Sequence, residues 1–120
     1  MIHNPEGRIA LTRHSSRVLV HLDNSVVADT DQSVQLSEKG YPDRQYLPRS
    51  AITAGSLQTS DTQTYCPFKG NATYYDFVLG DRIIKDAVWS YEKPYAAMDA
   101  IAGRMVFDPM QFDETVELDE

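Results

Sequence analysis

The sequence predicts a mainly β fold of seven or eight short strands with one short helix. Three observations carry this. Val18, Val20 and Leu22 alternate with Leu19, His21 and Asp23, the period-two pattern of a strand with one buried face. Residues 72–79 read Ala-Thr-Tyr-Tyr-Asp-Phe-Val-Leu, rich in the aromatic and β-branched types that pack well on a pleated surface. Short apolar runs are divided by turn chemistry at Asp23-Asn24-Ser25, Tyr41-Pro42-Asp43 and Gly80-Asp81, where Asx and Gly residues tolerate left-handed backbone.

Taken in order, residues 8–13 form an opening strand and His14-Ser15-Ser16 a polar break. Residues 17–29 read as a hairpin turning at Asp23-Asn24. Val34-Gln35-Leu36 is a further short strand. Residues 44–47 form another, closed by Pro48, which has no N–H to give a ladder. Ser50-Ala51-Ile52 makes a single helical turn. Residues 56–65 are rich in Ser, Thr, Gln and Asp, with Leu57 and Tyr65 their large apolar members; they read as a loop or an exposed strand. Residues 72–89 form a second hairpin about the Gly80-Asp81 turn. Pro94 opens the helix, since its missing N–H would be unpaired in the first turn anyway. Tyr95, Met98 and Ile101 form its buried stripe, and Gly103 ends it. Met105-Val106-Phe107 is the last strand, and the acidic end is expected to fray.

The 120 residues, 42% hydrophobic and 24% charged, suit one soluble domain, 1–120, with a core over about 8–107 and an acidic tail at 108–120. A chain of this size buries roughly two-thirds of its unfolded surface and holds a core without staples. No apolar run approaches the roughly 20 residues of a membrane span. The start carries no basic region followed by an apolar core. The single cysteine cannot form an internal disulfide or a four-cysteine zinc site. A cytoplasmic location without a bound metal or other cofactor is expected. The formal net charge of −7 opposes nucleic acid, whose phosphates select a basic field. A local anion site remains open, because Arg49 and Lys69 stand apart from the acids of the tail.

Three dense clusters resemble the wall of a pocket: Tyr46-Leu47-Pro48-Arg49, Cys66-Pro67-Phe68-Lys69-Gly70 and Trp89-Ser90-Tyr91. Cys66 reads as a nucleophile if Lys69 stabilises its thiolate, or as a small packing residue. The three histidines, His3, His14 and His21, all lie far from it in sequence, so no base accompanies it and packing is the simpler reading. Lys69 before Gly70 makes a modest anion nest or a solvated turn. Arg49 after Pro48 clamps an anion bidentately or pairs internally with Glu38. Tyr74, Tyr75, Trp89 and Tyr91 line an aromatic cage or fill a core. The carboxylates show no metal-ligand spacing.

The succession Val27-Ala28-Asp29, Glu38, Tyr46-Leu47-Pro48-Arg49, Thr64-Tyr65-Cys66-Pro67-Phe68-Lys69-Gly70, Ala87-Val88-Trp89-Ser90-Tyr91 with Pro94, and Val106-Phe107 resembles the domain of unknown function 427 family, a family also labelled nucleotidyltransferase. The resemblance runs over about residues 17–107. It implies a compact Mss4-like, or β-tent, fold: two small antiparallel sheets meeting at an angle over a pocket, with one short helix near residues 94–102. Many members of that wider group carry paired Cys-x-x-Cys zinc ligands; this chain has one cysteine, so the zinc does not carry over. Phe68 stands where the family motif has Tyr, so a role for that hydroxyl is absent.

Three functions fit. The first is a small-molecule-binding domain whose pocket is lined by Arg49, Lys69, Trp89 and Tyr91, with Glu38, Tyr46 and Tyr74 beside them, holding a small anionic or polar ligand. The second is a group-transfer enzyme of nucleotidyltransferase type, with Lys69 and Arg49 stabilising developing charge and Glu38 or Asp29 as base or metal ligand. The third is a protein-interaction module that uses its edge strands or acidic tail. Binding leads, because the three clusters bring cations and rings together on rigid segments.

Overall fold

The computed structural model describes residues 8–117. Residues 1–7, on which the expectation of no leader falls, and residues 118–120 of the acidic tail lie outside the described residues. The strands in chain order are β1 (Ile9–Arg13), β2 (Val18–Leu22), β3 (Ser25–Thr30), β4 (Val34–Glu38), β5 (Arg44–Tyr46), β6 (Leu57–Cys66), β7 (Gly70–Leu79), β8 (Arg82–Ser90), β9 (Met105–Phe107) and β10 (Asp113–Val116). Two short 3-10 helices, Arg49–Ala51 and Ala96–Ile101, interrupt them.

The fold is mainly β, and its strands form three antiparallel sheets rather than the two expected: β1-β4-β5, β10-β2-β3 and β6-β7-β8-β9. The hairpin β2–β3 takes β10 as its third strand, so it stands apart from β1, β4 and β5. The four-stranded sheet lies between the other two, and its period-two alternation divides the apolar residues into two cores. Tyr75, Val88 and Phe107 are cross-strand neighbours and face Val18, Val20, Val27 and Phe112. One residue along in register, Tyr74, Trp89 and Val106 face the opposite way, toward Val34, Leu36 and Tyr46. A bridge between Leu47 and Met105, with N–H···O distances of 2.9 and 2.8 Å, ties the end of β5 to the start of β9. That tie fixes Tyr46 over the second core.

A bulge in β8 pins the central sheet. Asp86 has φ +51°, a conformation that costs an L residue about 1–3 kcal/mol unless its surroundings hold it. They do: its carboxylate accepts hydrogen bonds from the hydroxyls of Ser60 and Thr62 on β6, and its N–H donates to buried Asp76 on β7 at 2.9 Å. Asp76 also accepts from Lys85 Nζ at 2.7 Å. These two donors hold the Asp76 carboxyl below its ordinary range, Lys85 contributing most.

Of the two readings of the polar stretch 56–65, the exposed strand holds: residues 57–66 form β6 at the edge of the central sheet, where a single neighbour leaves its outer side to water. Three expectations are corrected. The helix near residues 94–102 is a six-residue 3-10 helix starting at Ala96 and kinked at Met98. Met98 and Ile101 are buried there at i, i+3 spacing, which suits three residues per turn. Tyr95 leaves the stripe, and its hydroxyl meets that of Tyr65 at 2.5 Å. The C-terminal segment does not fray through its described part: β10 pairs with β2, and Phe112, 5% exposed, stacks edge-on against Phe107 and Phe77 at 4.9 and 5.4 Å.

Phe112→Ala therefore costs about 3–5 kcal/mol, read as a lower urea midpoint. A frayed tail would leave the midpoint where it is.

Candidate functional site

The cavity of interest opens between the central sheet and the sheet β1-β4-β5, at the edge of the second core. It has a volume of about 300 Å³. Alternation supplies its walls. From β4 come Leu36 and Glu38; from β5, which runs antiparallel beside it, come Arg44 and Tyr46. From the central sheet come Tyr74, its cross-strand neighbour Trp89, and Tyr91 two residues on. The turn after β6 contributes Cys66 and Lys69, and the β4–β5 loop adds Tyr41 and Pro42.

The Cys66–Gly70 turn is held by its ends. Lys69 N–H donates to Cys66 O at 3.3 Å, and Lys69 O accepts from Tyr95 N–H at 3.0 Å. Gly70 has φ +118°, and a Cβ there would lie 3.5 Å from the Pro94 backbone. A side chain at this point would be strained by the backbone conformation itself, which accounts for the glycine after Lys69. The turn thereby aims Lys69 into the cavity. Its Nζ lies 3.2 Å from Glu38 Oε1, with both side chains 12% exposed. It also lies 3.8 Å from Cys66 Sγ and 5.7 Å from the centre of the Tyr91 ring. Glu38 Oε2 faces Arg8 Nε at 3.7 Å. The internal partners of Glu38 are thus Lys69 and Arg8.

Arg44 supplies a second cation, its guanidinium 5.7 Å from the Trp89 ring centre. Trp89 packs against Tyr74 with centroids 6.0 Å apart, tilted by 37°. Tyr74 is anchored through its hydroxyl, 3.2 Å from Thr64 Oγ1. Tyr46 and Tyr91 differ from it. They are 2% and 7% exposed, their rings lie 6.5 Å apart, and among the described residues neither hydroxyl has a hydrogen-bond partner. Burial pushes both phenols well above the ordinary phenol range, with Tyr91 adding to the effect on Tyr46, and Cys66 and Tyr74 to that on Tyr91. Both therefore remain neutral O–H donors.

Of the residues picked out in the sequence, Glu38, Tyr46, Lys69, Tyr74, Trp89 and Tyr91 line this one cavity. Arg49 does not join them. The 3-10 turn after Pro48 exposes it on the other side of the central sheet, where its guanidinium stands 5.1 Å from the Tyr75 ring centre and Tyr75 donates to Glu92 Oε1 at 2.7 Å. Neighbours on a strand alternate faces, and the tie at Leu47 turns the chain away at once. The cation that does enter is Arg44, two residues before Tyr46 on the same strand and so on the same face; that spacing was the available signal. Tyr41 and Pro42 carry no comparable signal, since loop placement depends on the sheet beneath. Among the described residues no three His, Cys, Asp or Glu side chains gather as a metal-ligand group.

Removing an unpartnered hydroxyl breaks no bond in the fold. Tyr46→Phe and Tyr91→Phe should each stay within about 0.5 kcal/mol of wild type in thermal or urea unfolding, whereas Tyr46→Ala, which empties core volume, costs about 3–5 kcal/mol.

No curated protein matches the chain. Residues 10–118 match the family described as a domain of unknown function, DUF427, a span that takes in every side chain drawn into the cavity, and the chain accordingly belongs to the DUF427 family.

Proposed function

We propose that the protein binds a small planar anion in the cavity between Lys69, Arg44 and Trp89. The observation that carries this reading is the pair of buried phenols, Tyr46 and Tyr91, whose hydroxyls line the cavity without a protein partner. These hydroxyls open into the cavity as neutral O–H donors, so the site is complementary to a ligand that brings acceptor oxygens. The charges favour the same class. Glu38 offsets one cation through its pair with Lys69, while Arg44 has no ion-pair partner within 4 Å among the described residues. The Trp89 and Tyr74 rings offer an apolar face to a flat ligand body. A few fixed polar groups on apolar walls are the usual composition of a small-molecule site, and the volume falls at the small end of the usual range.

In this reading Arg44 takes the part that the sequence suggested for Arg49. Cys66 is a wall residue, and Lys69 holds the ligand. The frame is read as an Mss4-like, or β-tent, arrangement sheltering the ligand, and the absence of internal disulfides suits the cytoplasm.

The test is a thermal-shift and calorimetric screen of aromatic carboxylates and nucleoside monophosphates. A binder should lose about 10- to 100-fold in affinity in Lys69→Met and in Arg44→Met, the equivalent of one charge-assisted hydrogen bond. Tyr46→Phe should weaken it while leaving the melting temperature of the free protein in place. Cys66→Ser should bind as wild type does. A screen in which no anion raises the melting temperature, or in which Lys69→Met responds like wild type, removes the proposal.

A further inference from the structure

A second cavity, of about 200 Å³, lies beyond Arg44 and is lined largely by apolar groups: Pro42, Val106, Phe107, Pro109 and Phe112. Its polar members differ in kind from those of the first. Gln45 is already committed: its Oε1 accepts from Ser33 Oγ at 2.7 Å and meets His14 Nε2 at 2.8 Å, and its Nε2 donates to Gln35 at 2.9 Å. Asp43 accepts one bond, from Gln35 Nε2 at 3.3 Å on Oδ2, which leaves Oδ1 open. Glu114 has no hydrogen-bond or ion-pair partner among the described residues. Its direction follows from register. Glu114 pairs with Val20, a fully buried residue, and lies two residues past Phe112, so it stands on the inward face of β10. Glu114 is exposed as a residue, and at the cavity rim desolvation by nearby protein pushes its carboxyl up to about 7 against an opposing, smaller pull from Arg44.

The groups open to a ligand here are thus two carboxylates over an apolar floor, with Arg44 the cation among the lining residues, its guanidinium also placed by the Trp89 ring of the first cavity. An inward-pointing charge on an edge strand also discourages edge-to-edge pairing, but that role needs neither the cavity beneath it nor Asp43 beside it. We infer that this second cavity is a binding site for a small organic ammonium ion with a one-ring apolar body, its nitrogen held by Glu114 and Asp43 and its body set against Phe107 and Phe112. A carboxylate beside an apolar floor suits an ammonium group carried on an apolar body. The inference does not depend on the anion site, since its contacts are separate except for Pro42 and Arg44.

The pH dependence follows from the groups in reach. Facing Glu114 are Asp43 and Arg44 across the cavity and uncharged Val20 on β2; His21 pairs with Asp113, on the opposite face. The native state holds the Glu114 proton more tightly than the unfolded chain does. Stability therefore falls as pH rises from the ordinary value of 4.5 through about 7. In the free protein Glu114→Gln should raise the melting temperature at pH 8 and leave it unchanged at pH 4.

The binding experiment titrates 2-phenylethylammonium, 2-phenylethanol and 3-phenylpropionate into the full chain, followed by amide resonances. At pH 8 the amine should saturate with shifts at Val106, Phe107 and Glu114 and bind at least tenfold tighter than the alcohol. Glu114→Gln should bring the amine down to the level of the alcohol, and Asp43→Asn part of the way. In wild type, lowering the pH to 5.5 should do what Glu114→Gln does, a reading that needs no substitution. Equal binding of amine and alcohol overturns the inference. So does an amine that binds Glu114→Gln as it binds wild type, or one whose shifts fall at Lys69 and Trp89 instead.

Discussion

A strand buried on one face loses its core contacts if it slips by a single residue; a strand buried on both faces loses two cores at once. The central sheet is in that position. Tyr75, Val88 and Phe107 serve one core while Tyr74, Trp89 and Val106 serve the other, so the register of β7, β8 and β9 is set twice over. The Asp86 bulge, stapled to β6 by Ser60 and Thr62 and to β7 by Asp76, fixes the one place where the register shifts on β8. The sheets on either side are docked to this reference. The wall of the cavity therefore stands on rigid strands, which is what a site requires of side chains meant to meet a ligand without rearrangement.

The two cavities are opposite in chemistry although they share Pro42 and Arg44. One presents donors: two buried phenols, Lys69 and Arg44. The other presents acceptors: Asp43 and Glu114. The protein leaves both sets open in concave, partly apolar surroundings. Glu38 keeps the first from becoming a plain basic patch, since its pairs with Lys69 and Arg8 spread its charge between two cations. What that cavity presents is then donor geometry and ring faces as much as net charge. Arg44 lies at the boundary, where its field reaches both.

The hairpins β2–β3 and β7–β8 were legible in the sequence because their cause is local: alternating apolar residues on either side of a short Asx or Gly turn. Six of the seven site residues proposed from sequence meet in one cavity because dense clusters of rings and cations on short strands leave few places to point. The edge strand β6 reads as a loop as readily as an exposed strand, since the outer side of an edge strand faces water and its composition is polar.

What the sequence by itself determined is the strand periodicity, the turns and the residue types available to a site; these follow from φ/ψ preference and side-chain alternation, which act over a few residues. What only the tertiary structure decided is which strands share a sheet, which face meets which core and which cation enters the cavity. Arg44 and Arg49 are five residues apart in the chain, yet the bridge from Leu47 to Met105 places one beside Trp89 and the other beside Tyr75. Glu114 likewise owes its place to pairing with a strand more than ninety residues earlier in the chain. Contacts over such separations leave no local pattern, because the free energy that selects them comes from burying surfaces that are neighbours only once the chain has folded.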